Sequence, residues 1–330
     1  MSSGLNTPSK VSPREATPAV FEDPLAEPGR HILPVALADY ASGAAAAGAR
    51  TFPGSASTWW VEYKPGSIMR LPLHVLHHPP PSELTRLFWV RFAPLVTFLA
   101  EPDAQAPADS VHYVCRDNQY SLQKLEHAAQ TNIRRGLREL RIEFLTHAQL
   151  LQHGGQAFID THRRFDPETG TAAEFERQYT GQVSAPGNVF IGAWKNDILA
   201  AFLYLLVVDD WVLVNGRCAR HDCLNLRPNE TLLFAALFHF LVEKKVRLVS
   251  AGTASIAAEA DTPGLHRFKL KMGFEALPVR RVFILHPSLR PLAHQPARAA
   301  LSLSRKLCPS VRWLRLMESV LKHVTTSPSP

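Results

Sequence analysis

The chain has 330 residues, 46% of them hydrophobic and 20% charged, enough apolar material for one large core or two ordinary ones, which excludes a disordered chain. The longest apolar runs, Ile198 to Val208 and Leu232 to Val242, fall short of the roughly 18 residues of a membrane-spanning helix. The net charge of +7 is concentrated after Val279, where nine Lys or Arg stand against one acid, Glu318; that segment carries +8 and the rest −1, which excludes a whole-surface nucleic-acid footprint.

Residues 1 to 30 mix Pro, Ser, Glu and Ala with few large apolar side chains and are expected to form a disordered tail. The N-terminus lacks the apolar core of a secretion signal, and Cys115, Cys218, Cys223 and Cys308 have no framework spacing, so a cytoplasmic protein is expected. Residues 31 to 106 read as a partial N-terminal module that extends the main sheet. Within it "TWWVEYKPGSIMRLPLHVLHH" and "RLFWVRFAPLVTFLA" are rich in aromatic and β-branched residues broken by Pro and Gly, which favours strands and turns.

The main domain is expected over 107 to 287. "SVHYVCRD" reads as a strand. In the following stretch Leu122, Leu125, Ala129, Ile133, Leu137 and Leu140 recur at helical spacing after a capping Ser121. "HAQLLQHGGQAFIDTHRRF" gives a second helix weakened by Gly154 and Gly155, and "AAEFERQYTGQV" a third. Strands at 189 to 195, 199 to 208 and 211 to 220 are separated by the turn signals Lys195-Asn196-Asp197 and Asp209-Asp210, the pattern of an antiparallel meander. The helix expected over 229 to 244 is apolar almost all round and so is buried on a sheet. "VRLVSAG" follows as a strand, "PGLHRFKLKMGFE" as a short helix between Pro263 and Gly273, and "EALPVRRVFILHP" as a final strand or pair.

Strand, helices, three antiparallel strands, buried helix, strand, helix, strand: this order resembles the GNAT fold of the Gcn5-related N-acyltransferases. "TNIRRGLREL", "LRPNETLLFAALFHFL", "RLVSAG" and "GLHRFKLKMGF" resemble its FemAB-like and BioF2-like branch. The fold class implied is α/β (α+β): a GNAT-like, mixed and mostly antiparallel sheet flanked by helices.

The resemblance implies direct attack of an amine acceptor on an activated acyl carbonyl, polarised by strand amides around Asn215 to Arg217. It implies acyl-CoA, such as acetyl-CoA, as donor; no metal is expected, because Cys218, His221, Asp222 and Cys223 lie within six residues but no second Cys or His pair follows at zinc-ligand spacing. Phosphate contacts are implied from Asn229 and Thr231 at the buried helix start and from Arg267 and Lys269, with Phe268 packing beneath. His221, and Asp222 beside it, are implied as the base near a strand end.

Two departures bear on the donor. "NLRPNETL" stands where ordinary members have a glycine-rich loop; Pro228 supplies no N–H and Glu230 opposes a phosphate. Residues 56 to 106 are too few for the second copy of the fold that FemAB proteins carry. An aminoacyl-tRNA donor, acting on a small-molecule or peptidyl amine, and a non-catalytic binding module therefore stand beside acyl-CoA transfer.

The plainer readings are ordinary surface charge for Arg267 and Lys269, a polar strand end for His221 and Asp222, and a solvated face for Arg134, Arg135, Arg138 and Arg141. Residues 288 to 330 form a basic segment. In it Val311, Trp313, Leu314, Met317, Val320 and Leu321 share an arc opposite Arg312, Arg315 and Lys322. That amphipathic helix either caps the domain or lies peripherally on an anionic membrane, at its inner face.

Overall fold

The computed structural model describes residues 23–25, 32, 34–64, 66–164, 169–181, 185–254 and 262–289. The expected amphipathic helix over 311–324 and most of the expected tail lie outside these residues.

The meander forms as the turn residues require. Strands β7 (Asn188–Lys195), β8 (Ile198–Val208) and β9 (Trp211–Ala219) are antiparallel neighbours. They are joined at Asn196 and Asp209, whose positive φ of 54° and 46° suits tight hairpins. Helix α7 (Pro228–Leu237), extended by a π-type turn over Phe238–Glu243, packs its apolar circumference on this sheet. Strand β10 (Leu248–Thr253) then runs parallel to β9, the result of crossing over the sheet through a helix.

The eleven strands of the described residues form one sheet of order β1-β2-β3-β4-β11-β5-β10-β9-β8-β7-β6. Only β3–β4 and β9–β10 are parallel, so the sheet is mixed and mostly antiparallel, as expected. β11 (Glu275–Leu285) is long enough to serve two neighbours: residues 275–279 pair with β5 (Ser110–Cys115) and residues 280–285 with β4 (Leu95–Ala100). Strands β1 (Thr51–Pro53), β2 (Trp59–Lys64) and β3 (Ser67–Leu71) continue the sheet beyond β4. Helix α1 (Leu37–Ala46) covers a core on the face opposite α7.

Three local expectations change. The helix after β5 is α3 (His127–Glu139), preceded by a separate 3-10 turn over Leu122–Lys124; "RIEFL" leaves it to become edge strand β6 (Arg141–Leu145). The stretch around Gly154 is two helices, α4 (His147–His153) and α5 (Gly155–Arg163). "RLFWV" is a π-type turn continuing α2 (Pro81–Thr85), not a strand. Its Leu87 and Phe88 reach the core one helical step apart, an arrangement that aromatic content alone does not distinguish from a strand.

Candidate functional site

β9 and β10 pair only over Trp211–Leu213 and Leu248–Ser250, and β9 continues to Ala219 without that neighbour. Where they part, the β8–β9 register slips: Leu205 faces Val214 but Tyr204 faces Gly216, leaving Asn215 as an extra, bulged residue. The bulge exposes Asn215 and turns Arg217 inward, half-buried. Parallel strands that separate open a gap in the sheet, and the bulge aims β9 groups into it.

Helix α8 (Thr262–Lys271) touches both strands where they part, through Lys269 at Ala251 of β10 and Phe268 under Arg217 of β9. Leu265, Phe268 and Met272 fall on its inner side, with Met272 fully buried. Gly273 ends the helix at φ +87°, a conformation that favours glycine, and the Phe274 N–H turns back to the Lys269 carbonyl at 3.1 Å. The Tyr120 hydroxyl donates to the Met272 carbonyl at 3.0 Å and fixes this end.

That docking separates the two cations expected to act together. Residues two apart on a helix point in nearly opposite directions. Arg267 is exposed, whereas Lys269 is only 7% exposed. The Lys269 Nζ donates to the Ala251 carbonyl of β10 at 2.8 Å and lies 4.0 Å from the Tyr113 ring centre. The Arg217 guanidinium stacks over Phe268 at 4.2 Å, and the Tyr113 hydroxyl meets His266 Nδ1 at 2.9 Å.

The group is electropositive. Burial, and then Arg217 and Arg281, pull the Lys269 ammonium from 10.5 to about 7. Burial also lowers Arg217 to about 10, against the opposing pull of Glu230. Arg281, lowered by burial, donates to the Ala254 carbonyl at 2.8 Å. The charges that act on Lys269 are thus both positive. Such a site stabilises an anion, either a bound one or one that develops during a reaction.

The start of α7 is differently equipped. Arg227 precedes it at φ +59°, and Pro228 occupies its first position. Glu230 is buried, its Oε1 accepting from Asn132 Nδ2 of α3 at 3.2 Å and lying 3.5 Å from Lys271 Nζ. Thr231 is fully buried and donates to the Arg227 carbonyl at 3.0 Å. α3 approaches so closely that a Cβ at Gly136 would lie 1.9 Å from Thr231 Oγ1. Asn229 is half-buried, and its Oδ1 finds no protein partner. A carboxylate and a packed helix therefore stand where a pyrophosphate would need open amides, and the residues do not fit the coenzyme A pyrophosphate.

His221 and Asp222 begin the exposed 3-10 turn His221–Leu226 between β9 and α7. The His221 N–H donates to Asp160 of α5 at 2.9 Å. Asp222 pairs with Arg220 at 2.8 Å, which holds its carboxyl at about 2. The structure places Arg217 over Phe268 of α8 and Lys269 of the same helix against Ala251, and sets Arg267, His221, Asp222 and Asn215 at the surface. Arg134, Arg135, Arg138 and Arg141 are exposed. Sequence reasoning missed Tyr113, His266 and Arg281. Alternation in "SVHYVCRD" and in "PVRRVF" puts one of each polar pair on either face, but which face holds the site is a tertiary matter.

No protein-family model matches the chain, and no curated protein matches it. Among solved structures, FemX superposes with a TM-score of 0.54 at 10% identity, over 79% of this chain and 94% of that one. L-PGS from Bacillus licheniformis gives 0.44 at 13% identity over 74% and 86%, and a GCN5-related N-acetyltransferase from Kribbella flavida 0.40 at 10% over 76% and 93%. The parted parallel strands, the bulge and the buried crossover helix give the chain a GNAT-like fold. The chain is similar in fold to FemX.

Proposed function

We propose that the chain transfers an acyl group to an amine in the gap between β9 and β10. The observation that carries this reading is Lys269, a buried ammonium held between the Ala251 carbonyl and the Tyr113 ring, with the Arg217 guanidinium over the neighbouring Phe268. The amine lone pair attacks the acyl carbon while the carbonyl π electrons move onto oxygen. Lys269, Arg217 and the β9 amides near Asn215 stabilise that oxyanion. The amine proton passes to a base, and collapse of the intermediate expels the donor's leaving group. His221 is the base candidate of the exposed turn, since Asp222 at about 2 is too weak a base.

The closed, carboxylate-bearing start of α7 favours a donor without a pyrophosphate there. An aminoacyl-tRNA ester, which the FemAB resemblance implies, meets that condition better than acyl-CoA. Arg267 is then a surface residue, and Asn229 and Thr231 belong to the packed start of α7, not to a coenzyme cradle.

Single-turnover transfer from a panel of aminoacyl-tRNAs and acyl-CoAs to amine acceptors tests this. The expected result is transfer from an aminoacyl-tRNA and none from acyl-CoA. Lys269→Ala should lower turnover more than it raises the donor KM. Activity should fall as pH rises through about 7, because the neutral amine cannot stabilise an oxyanion, and Lys269→Arg should move that limb upward. A rate that instead rises through the same pH would make Lys269 a base, and Lys269→Ala with unchanged kcat would remove it from the chemistry.

A further inference from the structure

Between the buried Phe88 and Ala93 the chain extrudes four consecutive exposed residues, Trp89, Val90, Arg91 and Phe92. Their apolar members are 55%, 63% and 69% exposed, an unusual exposure for three large apolar side chains at one tip. The tip is built, not frayed. Leu84, Leu87 and Phe88 anchor one side in the core of Trp60, Val96 and Phe98. The Ala93 N–H returns to the Leu87 carbonyl at 3.0 Å, and His286 meets the Phe88 carbonyl at 3.2 Å and the Trp89 ring at 4.9 Å. Phe92 is held at φ +49°, a conformation that bulky residues rarely adopt, so its outward display is imposed by the surrounding backbone.

The charged side chains of the tip segment itself have one sign, and the nearby Glu62 carboxylate is engaged by the Arg50 and Gly66 N–H groups. From Leu84 to Ala100 the sequence contains no acid. Arg86 and Arg91 are exposed; Arg86 reaches the Pro53 carbonyl at 2.9 Å, and Arg91 lies over Phe52 at 5.1 Å beside Arg50. A two-fold contact centred on the tip would bring these cations close to their own copies. Residues 290–330, with seven Lys or Arg against Glu318, are equally mismatched as a cover. An RNA partner would use the Trp89 ring for stacking but leave Val90 without a role.

We propose that this tip is a membrane-contact site for an anionic bilayer surface. Trp89 sits at the headgroup level, Val90 and Phe92 enter the acyl boundary, and Arg86 and Arg91 pair with lipid phosphates. This reading is independent of the proposed acyl transfer.

The test is cosedimentation of the full chain with vesicles of phosphatidylcholine alone and of an equal mixture with phosphatidylglycerol, alongside tryptophan emission. The full chain should bind the mixed vesicles and show a blue shift that Trp89→Phe removes. Trp89→Ser with Phe92→Ser should weaken binding by about tenfold or more, and Arg86→Glu with Arg91→Glu should abolish it in low salt. Urea midpoints and gel filtration of each variant are compared with wild type, and the charge variants leave the apolar side chains intact if the serine variants unfold.

In a full chain carrying Arg312→Glu, Arg315→Glu and Lys322→Glu, the tip dependence should persist. The proposal is overturned by failure of the full chain to bind anionic vesicles, or by tip variants that bind as wild type. It is also overturned if the tip variants change oligomeric state or tRNA binding while vesicle binding stays constant.

Discussion

Replacing Lys269 by Met should make the protein more stable near neutral pH while removing its activity. The side chain is 7% exposed, and its ammonium is held at about 7 instead of 10.5. That difference corresponds to about 5 kcal/mol of unfavourable free energy for the charged form. Loss of the bond to the Ala251 carbonyl and of the Tyr113 ring contact offsets about 2 kcal/mol. A net gain of about 3 kcal/mol is expected at pH 6 to 7 from these terms.

Because the folded value lies below the unfolded one, the unfolded chain binds the extra proton between about 7 and 10.5. Wild-type stability therefore rises with pH across that window, and the advantage of the variant shrinks and then reverses toward its upper end, where only the loss of the two contacts remains. Urea denaturation of both proteins at several pH values measures the difference, in which other titrating groups cancel. A Met variant no more stable than wild type at pH 7, or an advantage independent of pH, would refute the reasoning. A residue that destabilises the fold while carrying the chemistry is the expected signature of a site selected for function over stability.

Gly136→Ala should destabilise by about 1 to 2 kcal/mol in spite of the better helix propensity of alanine, because its Cβ would meet Thr231. The loss should be smaller in a Thr231→Ala background, as a denaturation double-mutant cycle would show. Glu230→Gln should lower stability by about 1 to 2 kcal/mol by leaving Lys271 without its ion pair, read from urea midpoints. Asp23→Ala should lose about 2 kcal/mol, since His239, 4% exposed, would lose its 2.6 Å partner and its Nε2 already has none; an unchanged thermal midpoint would contradict this. Asp222→Asn, on an exposed pair, should change stability by less than about 0.5 kcal/mol, and unaltered turnover would place it outside the chemistry.

Local chemistry was sufficient for much of the architecture. Asn196 and Asp209 set hairpins because few residues tolerate positive φ; the apolar circumference of α7 demanded burial; Pro263 and Gly273 bounded α8 because one accommodates a helix start and the other a left-handed stop. Each of these signals depends on residues within a few positions of one another, which is why the sequence by itself determined the strand-helix order and with it the fold. The inward turn of Lys269 and the outward turn of Arg267 were not legible, since both are cations on one short helix. The seating of Phe268 and Met272 over the gap where β9 leaves β10 decided between them. Gly136 likewise reads as a weak point in α3 until Thr231, 95 positions away, comes against it. The closing of the α7 start by Asn132, Glu230 and Lys271 joins three helices whose mutual distances no periodicity encodes. Only the tertiary structure brings such distant positions together, and with them the burial that turns a surface charge into a reactive one.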